Sequence, residues 1–114
     1  MEPNQQEKTV GIVGGNGKFG VWFADLLRAA DYQVQIADLD TETTTRDLVR
    51  DCSVLLVCTP ISVSNELLLS LRQDLREEQL LVDIVSVKAA VAETLSTLPC
   101  QVLSIHPLFS PVVG

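Results

Sequence analysis

Residues 9–27, TVGIVGGNGKFGVWFADLL, open on an apolar run, pass through four glycines between Gly14 and Gly20, and continue with helical spacing. Glycine loses the most backbone entropy on folding, so such a cluster between two ordered segments marks a geometry or a close approach that side chains would block. Gly15-Asn16-Gly17-Lys18-Phe19-Gly20 matches G-x-G-x-x-G directly after a strand-length run and at the opening of a helix, the setting of a dinucleotide-binding turn. In this reading Gly15 permits the tight turn, Gly17 lets a pyrophosphate approach the main chain, and Gly20 lets the helix pack closely on the strand. The first helical turn, with Lys18 and Phe19, then offers its N–H groups to the anion, favoured by the helix dipole.

Outward from this turn, apolar runs of strand length alternate with segments of helical period: TVGIV, KFGVWFADLLRAA, VQIA, TTRDLVRDC, VLLVC, SVSNELLLSLRQDL, LLVDI, VKAAVAETLSTL and QVLSI. The strand runs are continuous rather than alternating, as expected where helices cover both faces of a parallel sheet. The expected fold is α/β, a Rossmann-type doubly wound parallel sheet of order 3-2-1-4-5, a single domain over residues 9–114 behind a polar tail at 1–8. In the first helix Phe19, Phe23, Leu26, Leu27 and Ala30 are read as the sheet-facing side. Functional residues belong just beyond the strand C-terminal ends, which directs attention to 14–20, Asp38, 59–61, 86–88 and His106.

Composition narrows the partners. The 114 residues are 46% hydrophobic with a net charge of -7, which suits one aliphatic core and argues against nucleic acid, whose phosphates need clustered Lys and Arg. The opening MEPNQQEK has no apolar signal core and no later run reaches the length of a membrane span, so the expected location is cytoplasmic, without a membrane partner. Cys52, Cys58 and Cys100 lack CxxC spacing and only one histidine is present, so no metal site is expected and the thiols read as small buried hydrophobes. Asp38 ends the second strand eighteen residues beyond Gly20, where a carboxylate accepts hydrogen bonds from the adenosine ribose. The residues after it, LDTETTT, contain no Arg or Lys to meet a 2′-phosphate, so the expected cofactor is NAD rather than NADP.

Four stretches in this order, IVGGNGKFG, VCTPISV, LVDIVSVK and IHPLFSP, resemble the dinucleotide-binding half of prephenate and arogenate dehydrogenases, nearest to the prephenate dehydrogenase domain often fused to chorismate mutase. The D-x-x-S-V-K and H-P-x-F-x-P pair carries most of this resemblance, and 2-hydroxy-acid and 6-phosphogluconate-type reductases lack it. The resemblance implies NAD-dependent oxidative decarboxylation of prephenate to 4-hydroxyphenylpyruvate in tyrosine biosynthesis, with arogenate as the alternative substrate. It assigns His106 as the base or acceptor for the substrate's ring hydroxyl and Ser86 as the group that holds that hydroxyl, while Thr59 and Pro60 form the loop against the nicotinamide ribose. An imidazole suits that task because its ordinary pKa lies near neutrality. As bland readings, Ser86 is a helix N-cap and Pro60 merely starts a helix. Two departures stand out. Ser110 occupies a position where the family usually has Gly, and the chain ends at Gly114 without the family's helical domain. The expectation is therefore a cofactor-binding portion, truncated after the H-P motif and weakly active or inactive alone, acting as a homodimer or with a helical partner domain. A non-catalytic nucleotide-binding module is the alternative of a different class.

Overall fold

A computed structural model describes residues 9–84 and 89–105. Within them the chain forms β1 (Thr9–Val13), α1 (Lys18–Ala29), β2 (Gln33–Ala37), α2 (Thr45–Asp51), β3 (Val54–Val57), α3 (Ile61–Leu71), β4 (Leu80–Asp83), α4 (Ala89–Ser96) and β5 (Gln101–Ser104). All neighbouring strands pair in parallel, and each strand–helix alternation read from the sequence has its counterpart.

The strand order corrects the expected one. It runs β2-β1-β3-β4-β5 rather than 3-2-1-4-5, so β2 is an edge and β3 lies beside β1. Burial explains the exchange. β2 is QVQIA, whose Gln33 is exposed and whose next three residues are only half-buried, whereas β3 is VLLV with its last three residues buried. A continuous aliphatic strand has both faces covered only inside the sheet, while a strand interrupted by two glutamines loses little at an edge. The arrangement is the other common doubly wound order, and its switch point falls between β1 and β3.

Side chains alternate between the two faces. Val13, Leu55, Val57 and Leu81 point to one side with Leu48 and Val49 of α2, Leu68 and Leu71 of α3, and Val91 and Leu95 of α4. Ile12, Leu56 and Val82 point to the other, where Phe23, Ala24 and Leu27 of α1 pack. Helix α1 therefore faces the sheet through Gly20, Phe23, Ala24 and Leu27, not through Leu26, which is 51% exposed, or Ala30, which is also exposed. Two small residues one turn apart let the helix settle closely on β1 and rotate Leu26 outward.

One buried polar residue joins the elements around β3. The Gln79 amide, 1% exposed, donates to the carbonyls of Val49 (2.6 Å) and Cys52 (2.8 Å), and its oxygen accepts from the Arg76 N–H at 2.7 Å. It thereby satisfies carbonyls at the end of α2 that the helix itself leaves without donors.

Candidate nucleotide-binding site

Three loops leave the C-terminal ends of β1, β2 and β3 and enclose a cavity of about 590 Å³. Its wall is drawn from Gly14, Asn16 and Gly17 after β1, Asp38 and Leu39 after β2, and Cys58, Thr59 and Pro60 after β3, with apolar residues behind them. The cavity thus sits at the switch point that the strand order creates, where the β1 and β3 loops part to opposite faces.

The tight turn is made by Gly14 rather than by Gly15, the residue expected to make it. The left-handed turn belongs to Gly14, at φ +79°, whose N–H donates to the Ala37 carbonyl at 2.9 Å and whose own carbonyl accepts from the Gly17 N–H at 3.2 Å. A β-carbon on Gly14 would also stand 3.0 Å from the Cys58 carbonyl carbon, so the crossing of the β1 and β3 loops requires glycine there. Gly15 is not the turn residue: a β-carbon on it would overlap the Ile36 side chain. At Gly20 a β-carbon would meet the Gly14 oxygen and the Gly15 Cα, each at 2.6 Å, which is the close helix packing read from the motif.

Gly17 is the exception. Its backbone is extended (φ −79°, ψ 174°), and a β-carbon there would touch only the Gly14 oxygen, at 3.5 Å. Internal packing leaves that position open toward the cavity. Gly17 is also the N-cap of α1, which has no side-chain cap and no acidic residue in its first turn. By contrast α2 is closed by a capping box, in which the Thr44 hydroxyl accepts from the Asp47 N–H and the Asp47 carboxylate accepts from the Thr44 N–H. A helix N-terminus without a side-chain acceptor, opening on a cavity, suits an anionic group of a ligand.

Asp38 faces this cavity and is held in place. One carboxylate oxygen accepts from the Asn16 N–H at 2.9 Å and the other from the Leu39 N–H at 2.8 Å. The Thr41 hydroxyl accepts from the Asp38 N–H at 2.9 Å, which fixes the loop. An ionised carboxylate has about four acceptor positions, so capacity remains for the hydroxyls of a ribose. On the β3 side the Thr59 and buried Ser64 hydroxyls lie 2.6 Å apart, and Ser64 donates to the Pro60 carbonyl at 3.0 Å. Burial, reinforced by the charge of Asp83, pushes the Cys58 thiol up to about 12. The thiol therefore stays protonated at neutral pH and serves as apolar wall, not as a nucleophile.

Of the residues singled out in the sequence, Gly17, Asp38, Thr59 and Pro60 line the cavity, Gly15 is packed against Ile36 and Gly20 against the turn, and Lys18 and Phe19 begin α1. Ser86 and His106 lie outside the described residues. Gly14 and Asn16 fall within the stretch 14–20 but have no role of their own in the motif: the doubled glycine signals the first, whereas Asn16 acts through its hydrogen bonds and leaves no mark in the spacing. Among the described residues no group of His, Cys, Asp and Glu could hold a metal ion, and no helix is long and apolar enough to cross a membrane.

Residues 25–114 match the model of the family described as prephenate dehydrogenase, nucleotide-binding domain. The chain belongs to that family. It is 36% identical over 99 residues to the T-protein of Haemophilus influenzae, covering 86% of this chain and 26% of that protein. It is 31% identical over 108 residues to the T-protein of Enterobacter agglomerans, covering 94% of this chain and 29% of that protein. A probable arogenate/prephenate dehydrogenase of Methanocaldococcus jannaschii is 25% identical over 120 residues, covering 90% of this chain and 27% of that protein. The chain thus spans between a quarter and a third of the length of these curated relatives. Among solved structures, a semialdehyde dehydrogenase NAD-binding protein from Cupriavidus necator, in complex with calcium and NAD, superposes with a TM-score of 0.70 at 17% identity, over 93% of this chain and 43% of that one. That likeness establishes a Rossmann-like fold for the chain. The family match begins within α1, so the glycine turn is assigned by its geometry rather than by the match.

Proposed function

We propose that this chain is the cofactor-binding part of an NAD-dependent prephenate dehydrogenase. The observation that carries the reading is Gly17: a glycine with ordinary backbone angles and room for a β-carbon, which would meet only the Gly14 oxygen among the described residues, at an uncapped helix N-terminus on the wall of a cavity of about 590 Å³. Packing among the described residues gives no reason for it, whereas a pyrophosphate lying against the main chain does. Asp38 would hold the adenosine ribose, and Thr59 and Pro60 the nicotinamide half.

Bound NAD supplies the hydride acceptor. By the family resemblance, His106 takes the proton from the substrate's ring hydroxyl as the hydride departs, and Ser86 keeps that hydroxyl in line. The resulting ketone lets the ring carboxylate leave as carbon dioxide and the ring aromatise, giving 4-hydroxyphenylpyruvate. Arogenate, which differs in its side chain, is the alternative substrate. None of the described residues lining the cavity is Arg or Lys, so nothing there pairs with a substrate carboxylate. On this reading the chain alone binds nucleotide and turns over prephenate slowly or not at all. That same absence favours the second reading, a nucleotide-binding module without catalysis. Val102 and Leu103 of β5, 36% and 49% exposed, offer apolar surface that a helical domain or a second copy would cover.

Calorimetric titration with NAD, then with prephenate or arogenate, while absorbance follows NADH, tests the proposal. Saturable NAD binding is expected, with any prephenate-dependent NADH formation lost in His106→Ala. No NAD binding at millimolar concentration would refute it, and NAD binding without response to either substrate would favour the module.

A further inference from the structure

Asn16 reaches two carboxylates at once. Its main-chain N–H donates to Asp38 Oδ2 at 2.9 Å, and its side-chain Nδ2 donates to Asp40 Oδ1 at 2.8 Å. The glycine turn is thereby tied to the loop after β2 across one rim of the cavity, with Leu39, fully exposed, standing between the two acids. The proposed role of Asp38 as a ribose-binding acid gives no reason for Asp40 to be tethered beside it.

We propose that Asp40, held by the Asn16 amide, is a specificity-determining residue that acts with Asp38 against nucleotides bearing a phosphate on the adenosine ribose. This rests on the nucleotide-binding reading above and deepens it. A ribose diol donates hydrogen bonds, and carboxylates accept them at little electrostatic cost. A 2′-phosphate is a dianion without donors, and at this rim it would face two fixed negative charges. No Lys or Arg among the described lining residues is available to meet it. Arg46, on the adjoining helix, is directed instead to Asp74 at 3.5 Å. Because both acids bond to one residue, the second charge lies within about a Debye length of the first at physiological salt, close enough to act on the same ligand group.

The test is a comparison of NAD and NADP affinities, by calorimetry, for the parent chain, Asp40→Asn and Asp25→Asn. Asp40→Asn removes the charge while keeping an oxygen that can accept from Asn16. NADP binding is expected to strengthen on the order of fivefold in it at low salt, with NAD affinity changed less than about twofold. In the parent, discrimination against NADP should shrink as salt rises from about 10 to 300 mM, and shrink less in Asp40→Asn, a dependence that a purely structural role would not produce. Asp25→Asn, an equal charge change on α1, should leave the ratio of affinities as in the parent. If the parent binds NAD and Asp40→Asn discriminates as the parent does, the role of Asp40 is refuted and the nucleotide reading stands. The role is equally refuted if the parent binds NADP as tightly as NAD, or if Asp40→Asn loses both nucleotides together. A parent that binds neither refutes the role and the nucleotide reading alike.

Discussion

Gly17→Ala should weaken NAD binding about a hundredfold while lowering the stability of the chain by less than about 1 kcal/mol. The two halves of this expectation come from different atoms. At φ −79° and ψ 174° alanine is unstrained, and its β-carbon would make one ordinary contact, 3.5 Å from the Gly14 oxygen. Alanine is a somewhat poorer N-cap than glycine, but it also restricts the unfolded chain, and the two effects nearly offset. For a ligand lying on the amides of the turn the same methyl occupies the approach path. Displacing a diphosphate from two charge-assisted N–H hydrogen bonds, at about 1.5 kcal/mol or more each, corresponds to roughly two orders of magnitude in affinity. Chemical denaturation and calorimetry on the same preparation separate the two effects. A variant that binds NAD like the parent would show that the turn is not where the nucleotide lies.

Gly20→Ala should do the reverse, destabilising the fold by about 2–3 kcal/mol. Here the added β-carbon would stand 2.6 Å from both the Gly14 oxygen and the Gly15 Cα, and 2.8 Å from the Gly15 carbonyl carbon. All three are backbone atoms, so no rotamer change relieves the clash, and α1 has to back away from the turn it packs on. The helix-propensity gain of alanine over glycine, about 1 kcal/mol, offsets only part of that strain. For a domain of this size the melting temperature should drop by roughly 10–15 °C, read by circular dichroism. An unchanged or raised melting temperature would mean that the close approach of helix and turn does not hold.

The opposition between these two glycines was only partly legible in the sequence. The motif gives the two positions different roles, Gly17 toward a ligand and Gly20 against the strand, but the spacing does not say how closely Gly20 is pressed on the backbone of the turn. The positive φ at Gly14, just ahead of the motif, was likewise invisible because any of the neighbouring glycines could have taken the turn. Element types were readable throughout, since continuous aliphatic runs and helical spacings alternate without interruption. The expected strand order, 3-2-1-4-5, differs from the observed one although the signal for the latter is present: Gln33 and Gln35 mark an edge strand, and Val54 to Val57 mark an interior one. Phe23 and Leu27 pack on the sheet as expected, whereas Leu26 and Ala30 turn outward because Gly20 and Ala24, which carry little hydrophobicity, decide by their smallness how the helix docks. Asp38, Thr59 and Pro60 line the cavity, which lies beyond the strand ends where a doubly wound sheet opens its crevice. The tether from Asn16 to Asp40 depends on three-dimensional proximity between loops that are 24 residues apart in the chain.

Amide hydrogen exchange with and without NAD is the most direct test of where the nucleotide lies. The account predicts that NAD slows exchange at 14–20, at 38–41 and at the start of α3, while the outer edge at β5 is unchanged. Protection that spares residues 14–20, or that appears only at β5 and α4, would contradict it.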